Sequence, residues 1–129
     1  MGQKKLLVSL IVLCSILFIN MGEIDKFQEK EKNTNYLVTF IELGSVRCIP
    51  CKKMEPIPES IRNKYPEDVK VIFYDVWTEK GEPYATKYNV NKFPTQVFLD
   101  KEGKEYFRHV GFLPEEDILK VLKLKEVKK

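Results

Sequence analysis

Histidine and cysteine are scarce in this sequence, which limits the metal sites that it can form. Its 129 residues contain one histidine, His109, and three cysteines, of which only Cys48 and Cys51 lie close together. A structural zinc site takes about four ligands, so a single chain offers too few. A c-type haem tether needs a histidine directly after the second cysteine, and Lys52 stands there instead. We therefore expect no metal and no cofactor.

The sequence also lacks a large excess of positive or negative charge. The formal net charge is +3, but the first 22 residues carry two lysines and no acid. The rest of the chain therefore has 20 basic and 19 acidic residues, a net of +1. A near-neutral body gives no electrostatic reason for binding nucleic acid, so we expect no such partner. With 43% hydrophobic residues the chain can form a packed core, and residues 126–129 are predicted to be a basic tail.

Long hydrophobic runs are absent except at the N-terminus. There the basic start MGQKK precedes the apolar run LLVSLIVLCSILFI, an arrangement typical of a secretory signal. No A-x-A-like cleavage site follows, and the uncharged span 6–22 is 17 residues long, at the lower limit for crossing a bilayer. We predict that residues 1–22 are a signal peptide or an uncleaved membrane anchor and that any membrane contact is confined to residues 6–22. The protein is then expected outside the cytoplasm, in a periplasmic or other extracytoplasmic compartment.

The rest of the chain alternates between strand and helix patterns. Residues 23–35 are polar and charge-rich, which is typical of a linker or a short helix. The predicted elements that follow are, in chain order, a strand at 36–43, a helix from Cys48 to about Tyr65, a strand at 69–76, a short helix at about 82–88, a hairpin of strands 95–100 and 105–110, and a helix after Pro114. Pro56 and Pro58 are expected to kink or break the first helix. The order βαβαββα predicts an α/β fold, a compact core in which helices flank a four-stranded mixed sheet.

The two paired cysteines follow the first strand, in the stretch SVRCIPCKKMEP. A disulfide between them would be an inefficient staple, because closing so short a loop constrains the unfolded chain little. A helix N-terminus, in contrast, stabilises a thiolate through its free N–H groups and its dipole, and Pro50 suits the first turn. Cys48 is therefore predicted to be an exposed attacking thiol and Cys51, one turn further on, a shielded one. This arrangement favours a dithiol that cycles by exchange through a mixed disulfide.

Three segments, in matching order and spacing, resemble the thioredoxin family. VTFIELGSVRCIPCKKMEP resembles the family's unit of strand, active site and helix; KYNVNKFPTQVFLDKEG resembles the segment with its cis-proline; HVGFLPEEDILKVL resembles its glycine turn and final helix. The resemblance covers roughly two thirds of the chain and places a thioredoxin-like domain at residues 36–125. It implies a thioredoxin-like fold and the activity of a thiol–disulfide oxidoreductase.

The resemblance also implies roles for individual residues. Cys48 would be the nucleophile and Cys51 the resolving thiol of a redox-active disulfide. Glu42 takes the place of the family's buried acid, which would accept the proton of Cys51. Strand alternation places Glu42 on an otherwise apolar face; the alternative is an outward glutamate at a strand edge. The implied cis-proline is Pro94, and the implied substrate-contacting residues are Arg47, Ile49, Phe93, Pro94, Thr95 and Gly111.

Two positions beside the cysteines differ from the family pattern. Arg47 stands where the family usually has tryptophan. Our hypothesis is that its charge lowers the pKa of Cys48 and favours acidic or polar substrate surfaces; the alternative is a side chain that points only into water. Oxidising relatives often carry histidine directly before the second cysteine, where this chain has Pro50. A reducing or intermediate redox potential is therefore expected.

Four functions remain open at this point, and a metal chaperone is the least favoured of them. The favoured one is an exported reductase acting on protein disulfides or apocytochrome thiols, which would need a membrane electron donor because that compartment is oxidising. The second is a disulfide oxidant or isomerase. The third is a redox-inactive binding module that uses the groove around Phe93, Gly111 and Phe112.

Overall fold

The sheet is built around the first strand that follows the N-terminal segment. The computed structural model describes residues 35–128, so the predictions for residues 1–34 (the signal or anchor and nearly all of the linker) and for Lys129 lie outside the described residues. The strands are β1 (Val38–Gly44), β2 (Val69–Asp75), β3 (Thr95–Asp100) and β4 (Glu105–Val110). The helices are α1 (Pro56–Lys64), α2 (Glu82–Lys87) and α3 (Glu115–Lys123), with a 3-10 helix at Pro50–Lys53. Within this part of the chain, every helix is too short or too polar to cross a bilayer.

The four strands pair in the order β2-β1-β3-β4. β1 runs parallel to β2 and antiparallel to β3, and β4 is antiparallel to β3. β1 is rich in branched and aromatic residues and has only one half-exposed position, as expected of a central strand that is covered on both faces. The predicted α/β fold, with a four-stranded mixed sheet flanked by helices, is confirmed.

Each face of the sheet packs its own hydrophobic cluster. On one face Val38, Phe40 and Phe98 are fully buried against residues of α1 and α3. The rings of Phe40 and Phe98, which are register partners on β1 and β3, stack with their centroids 4.8 Å apart. On the other face Ile41 and Leu43 pack with residues of α2. Burying one such side chain contributes about 2 kcal/mol to stability, so the two clusters hold β1 at the centre of the sheet.

The predicted break in the first helix is present, and it separates two different kinds of helix. The 3-10 helix at Pro50–Lys53 is followed by a two-residue turn, after which α1 begins at Pro56. Pro56 and Pro58 both lie in the first turn of α1, where backbone N–H groups have no intrahelical partner and a missing donor costs nothing. Of the expected kink or break, the structure has the break: the helical region starts two residues later than expected, as a 3-10 turn at Pro50, and a separate α-helix follows from Pro56.

The strand register brings four connecting segments to one edge of the sheet. Gly44 pairs with Asp75, Leu43 with Thr95, and Thr95 with Val110. The segments that follow β1, β2 and β4 therefore meet the segment that precedes β3. The paired cysteines lie in the first of these segments, so a functional site can form at this edge.

Candidate active site

Cys48 and Cys51 form a disulfide at the edge of the sheet where the segments after β1, β2 and β4 meet the segment before β3. Their Cα atoms are 5.2 Å apart, and Cys48 lies two residues before the 3-10 helix, which begins at Pro50. The carbonyl of Cys48 accepts hydrogen bonds from the N–H groups of Cys51 (3.1 Å) and Lys52 (3.3 Å). These backbone bonds hold the two cysteines on one turn, within bonding reach of each other.

The expected difference in exposure between the two cysteines is wrong for this disulfide form. Cys48 is 5% exposed and Cys51 is 3% exposed, so both cysteines are buried. The chain neighbours Arg47 and Ile49 are exposed instead. Gly44 contributes to the burial of the second sulfur: a Cβ atom at Gly44 would lie 3.3 Å from Sγ of Cys51, so β1 approaches that sulfur closely.

Glu42 on β1 is a buried acid. The residue is 2% exposed and lies on the central strand, which excludes the alternative of an outward glutamate at a strand edge. Burial raises the pKa of Glu42 to about 8, because a carboxylate loses its hydration there. Its Oε2 has no hydrogen-bond partner among residues 35–128. Glu42 can therefore take up or release a proton close to neutral pH.

Glu42 and Cys51 both line a cavity of about 240 Å³. Phe73 on β2 contributes to its wall. Glu59 and Arg62, which form an ion pair and are exposed, also line it. The cavity thus connects the buried carboxyl group, the second cysteine and polar groups in contact with solvent. It offers a route by which a proton can pass between Glu42 and Cys51.

Hydrogen bonds join the segment before β3 to the segment after β4. The Phe93–Pro94 peptide bond is cis, and the carbonyl of Pro94 accepts a hydrogen bond from the N–H of Gly111 (2.7 Å). Gly111 has φ +99°, a conformation that favours glycine over residues with a Cβ atom. Thr95 is buried, and its hydroxyl donates to the carbonyl of Lys92 (2.6 Å). Of these predicted contact residues, Thr95 therefore turns its side chain inward, whereas Gly111 and Phe93 are half-buried.

Arg47 is held against Trp77, the single tryptophan of the chain. A guanidinium nitrogen donates to the carbonyl of Trp77 (2.9 Å), and the guanidinium carbon lies 5.8 Å from the centre of the indole ring, within the range of cation–π attraction. Both residues are exposed, Trp77 by 49%. Arg47 therefore does not point only into water. With Trp77 it forms a cationic and aromatic surface next to Cys48.

Asp75 is a candidate that no motif in the sequence marks. Its carboxylate accepts a hydrogen bond from the backbone N–H of Trp77 (3.1 Å), and the Ser45 hydroxyl and the Val46 N–H lie near enough to stabilise its charge. Burial alone would raise the pKa of Asp75, but these interactions and the nearby charge of Arg47 outweigh it and lower the pKa. Asp75 thereby anchors the segment that leads into the first cysteine. The signal in the sequence is its place at the end of the strand that pairs with β1.

The fold and the cysteine pair can now be compared with known proteins. A family model described as a thioredoxin-like domain matches residues 23–126. The chain is 32% identical over 93 residues to a thioredoxin H10 protein of Arabidopsis thaliana and 34% identical over 76 residues to a thioredoxin of Borreliella burgdorferi. These matches cover 70% and 59% of this chain, but only 58% and 62% of the two relatives. The chain thus spans less than two thirds of the length of either relative.

Solved structures show the same architecture. The thioredoxin of Fasciola hepatica superposes with a TM-score of 0.60 at 29% identity, over 72% of this chain and 86% of that one. The exposed lipoprotein thioredoxin of Streptococcus pneumoniae superposes with a TM-score of 0.63 at 22% identity, over 70% of this chain and 87% of that one. Since the family model matches most of the chain and the described residues have this fold, the chain belongs to the thioredoxin-like family.

Proposed function

We propose that this protein is a thiol–disulfide oxidoreductase that reduces protein disulfides. The observation that carries the proposal is the Cys48–Cys51 disulfide at the start of a helix, with the buried Glu42 on the same cavity as Cys51. Membership of the thioredoxin-like family supports the same chemistry. The two sulfurs carry both electrons, so the exchange itself proceeds between sulfur atoms.

The reaction starts from the reduced pair. The Cys48 thiolate attacks one sulfur of the substrate disulfide, that S–S bond breaks, and the other substrate sulfur leaves as a thiolate. Cys51 then attacks Sγ of Cys48 in the mixed disulfide, which releases the second substrate thiolate and forms the Cys48–Cys51 bond. The substrate gains two electrons, and its thiolates take protons from the solvent.

Glu42 is proposed to accept the proton that Cys51 loses before its attack. A base works best when its pKa is near the working pH, and burial raises the pKa of Glu42 to about 8. Because Glu42 and Cys51 line one cavity, the proton can move between them without crossing the packed core.

The direction and the place of the reaction are further parts of the proposal. Pro50, directly before Cys51, offers no charge that would stabilise the reduced thiolate, which supports a reducing or intermediate potential.

The basic and apolar N-terminal sequence supports action outside the cytoplasm, where a membrane electron donor would have to reduce the protein again. Protease added to spheroplasts should then digest the protein. Protection from the protease until the cells are lysed would contradict the location.

The equilibrium reduction potential of the Cys48–Cys51 pair against glutathione tests the direction of electron flow. A reductase should give a potential between about −230 and −270 mV. A potential between about −120 and −180 mV would instead indicate a disulfide oxidant or isomerase.

Substitution of the cysteines tests the chemistry. Cys48→Ser should abolish disulfide reduction, and Cys51→Ser should accumulate the mixed disulfide with substrate, because the second attack is lost. Cys14→Ser removes the third cysteine and leaves the pair intact, so it is the matched control and should retain activity. If Cys48→Ala keeps full activity in cells, a redox-inactive binding module is the correct function.

A further inference from the structure

Gln96 is a second buried polar residue on the sheet. It is 0% exposed, and neither Nε2 nor Oε1 of its side chain has a hydrogen-bond partner among residues 35–128. In the described part of the chain, one other buried side-chain atom lacks a partner, and that atom is Oε2 of Glu42. Buried polar groups in native proteins are nearly always hydrogen-bonded, because they lose their hydration without compensation. Both side chains therefore call for an explanation.

Glu42 and Gln96 face each other across neighbouring strands. They are register partners on β1 and β3, and opposed residues of an antiparallel pair project to the same face, with Cβ atoms about 4.5–5.5 Å apart. The next pair along that face, Phe40 and Phe98, shows this directly, since its two rings stack. The unpartnered atoms thus belong to one pair of adjacent side chains.

A primary amide is suited to both forms of a carboxyl group. Its NH₂ group can donate to a carboxylate, and its oxygen can accept from the hydroxyl of a neutral acid. We propose that Gln96 is a positioning residue for Glu42: its amide bonds to the carboxyl group and stabilises the carboxylate that receives the proton of Cys51. This inference rests on the proposed function of the cysteine pair.

The amide follows the proton transfer without carrying a proton itself. While Glu42 is a carboxylate, Nε2 of Gln96 donates to it. When the proton of Cys51 has moved to Glu42, the new hydroxyl donates to Oε1 of Gln96, and the thiolate left on Cys51 attacks Cys48. Burial alone raises the pKa of Glu42 to about 8, and the amide, by stabilising the carboxylate, should hold the pKa below that value. Without the amide the desolvated carboxylate is less stable, so the pKa of Glu42 should rise.

The other neighbours of Glu42 are less suited to this role. Phe73, its register partner on β2, is apolar. On the helix side, the titratable or charged residues that line the cavity are Cys51, Glu55, Glu59 and Arg62, and the last three are exposed. His109 on β4 is the register partner on the far side of Gln96, and its Nε2 donates to the carbonyl of Phe112 (3.1 Å). On the sheet, Gln96 is therefore the neighbour that can bond to Glu42.

Gln96→Met, which keeps the size of the side chain and removes the amide, tests the inference. We expect the pKa of Glu42, followed by ¹³C NMR of its carboxyl carbon in the oxidised protein, to rise by about one unit or more. Disulfide reduction at pH 7 should fall about tenfold and approach the parent rate as the pH is raised. Gln96→Asn keeps the amide but withdraws it by one methylene, so it should give a smaller shift of the same sign. It replaces the methionine variant if that variant does not fold.

Two controls separate this role from loosening of the core. Val97→Ala changes the next buried residue on β3, which packs in the cluster on the other face, and should leave the pKa of Glu42 unchanged. In a Glu42→Gln background, Gln96→Met should have no further effect on the pH profile. The inference is overturned if Gln96→Met leaves the Glu42 titration at its parent position, or if its effect on the rate persists without Glu42. The NMR titration needs no turnover, so it tests Gln96 even if the proposed reductase activity fails.

Discussion

At the residue scale, Glu42 couples the stability of the protein to pH. Burial raises its pKa from 4.5 to about 8. Between these values the folded protein holds a proton that the unfolded chain has lost. The contribution of this group to stability is therefore complete below about pH 4.5 and is lost progressively as the pH rises to about 8. One unit of pKa corresponds to about 1.4 kcal/mol.

Glu42→Gln removes this dependence, because an amide does not ionise. Near pH 7.5 the variant should be more stable than the parent by about 4 kcal/mol, and the difference should close toward pH 4.5. Urea unfolding of the oxidised parent and variant at several pH values measures this difference in the free energy of unfolding. Glu59→Gln, at an exposed carboxyl on the same cavity, should change stability by less than about 0.5 kcal/mol at each pH. A gain that is the same at all pH values would contradict the burial argument.

At the scale of elements, the turn from β2 into α2 decides how the segment before Cys48 is held. β2 ends at Asp75, whose carboxylate accepts a hydrogen bond from the N–H of Trp77 and is stabilised by the nearby Ser45 and Val46. Gly81, directly before α2, approaches this strand end so closely that a Cβ atom there would lie 1.9 Å from the carbonyl oxygen of Asp75. The packing of α2 and the position of the cysteine segment are therefore linked through Asp75.

Gly81→Ala should disturb both the packing of α2 and the position of the segment that leads into Cys48. The added methyl group overlaps the backbone, so we expect a loss of about 1–3 kcal/mol in the free energy of unfolding and, because Asp75 moves, a severalfold loss of kcat/KM. Gly103→Ala is the control: its φ is +78° and nothing lies near its Cβ position. It should cost about 1–2 kcal/mol through backbone strain and leave kcat/KM unchanged. Equal losses of activity in the two variants would show that Asp75 does not position the site.

Elements that depend on local pattern could be predicted from the sequence. The hairpin strands, β3 and β4, have the predicted bounds. β1 begins two residues later and ends one residue later than predicted, because an apolar run shows that a strand is present more reliably than it shows where the strand ends. The 3-10 helix could not be predicted, because a proline can kink a helix or begin a new one. The choice between the two depends on tertiary packing, and Met54, which lies between the two helices, is fully buried in the core.

Residues whose role depends on a neighbouring strand could not be predicted in the same way. Cys48, Cys51 and Pro94 were identified through motifs that are contiguous in the chain. Gln96 is one polar residue in the strand TQVFLD, and only the register of β3 against β1 places it opposite Glu42.

At the scale of the whole molecule, charge is distributed unevenly. Residues 35–128 contain 16 basic and 15 acidic residues, a net of +1. Three segments at the edge of the sheet that holds the disulfide (46–53, 91–95 and 109–113) contain no acidic residue, and their basic residues are Arg47, Lys52, Lys53 and Lys92. In the fourth segment, after β2, Glu79 and Lys80 offset each other, and the charge of Asp75 at the end of β2 lies near that of Arg47. A nearly neutral protein thus presents a positive surface around its cysteines, which supports the hypothesis that acidic substrates are favoured.

Peptides whose disulfide is flanked by glutamate should therefore be reduced with a higher kcat/KM than matched peptides flanked by lysine. Each exposed charge pair contributes about 0.2–1 kcal/mol, so the double substitution Lys52→Gln and Lys53→Gln should lower kcat/KM severalfold for the acidic peptide and little for a neutral one. Lys101→Gln with Lys104→Gln, in the β3–β4 turn at the opposite edge of the sheet, is the matched control. The preference should fade in salt, because the Debye length shortens from about 10 Å at 0.1 M to about 3 Å at 1 M. Equal rates for the two peptides at low salt would show that the positive surface does not select substrates, while reduction of the neutral peptide would still support the chemistry of the cysteine pair.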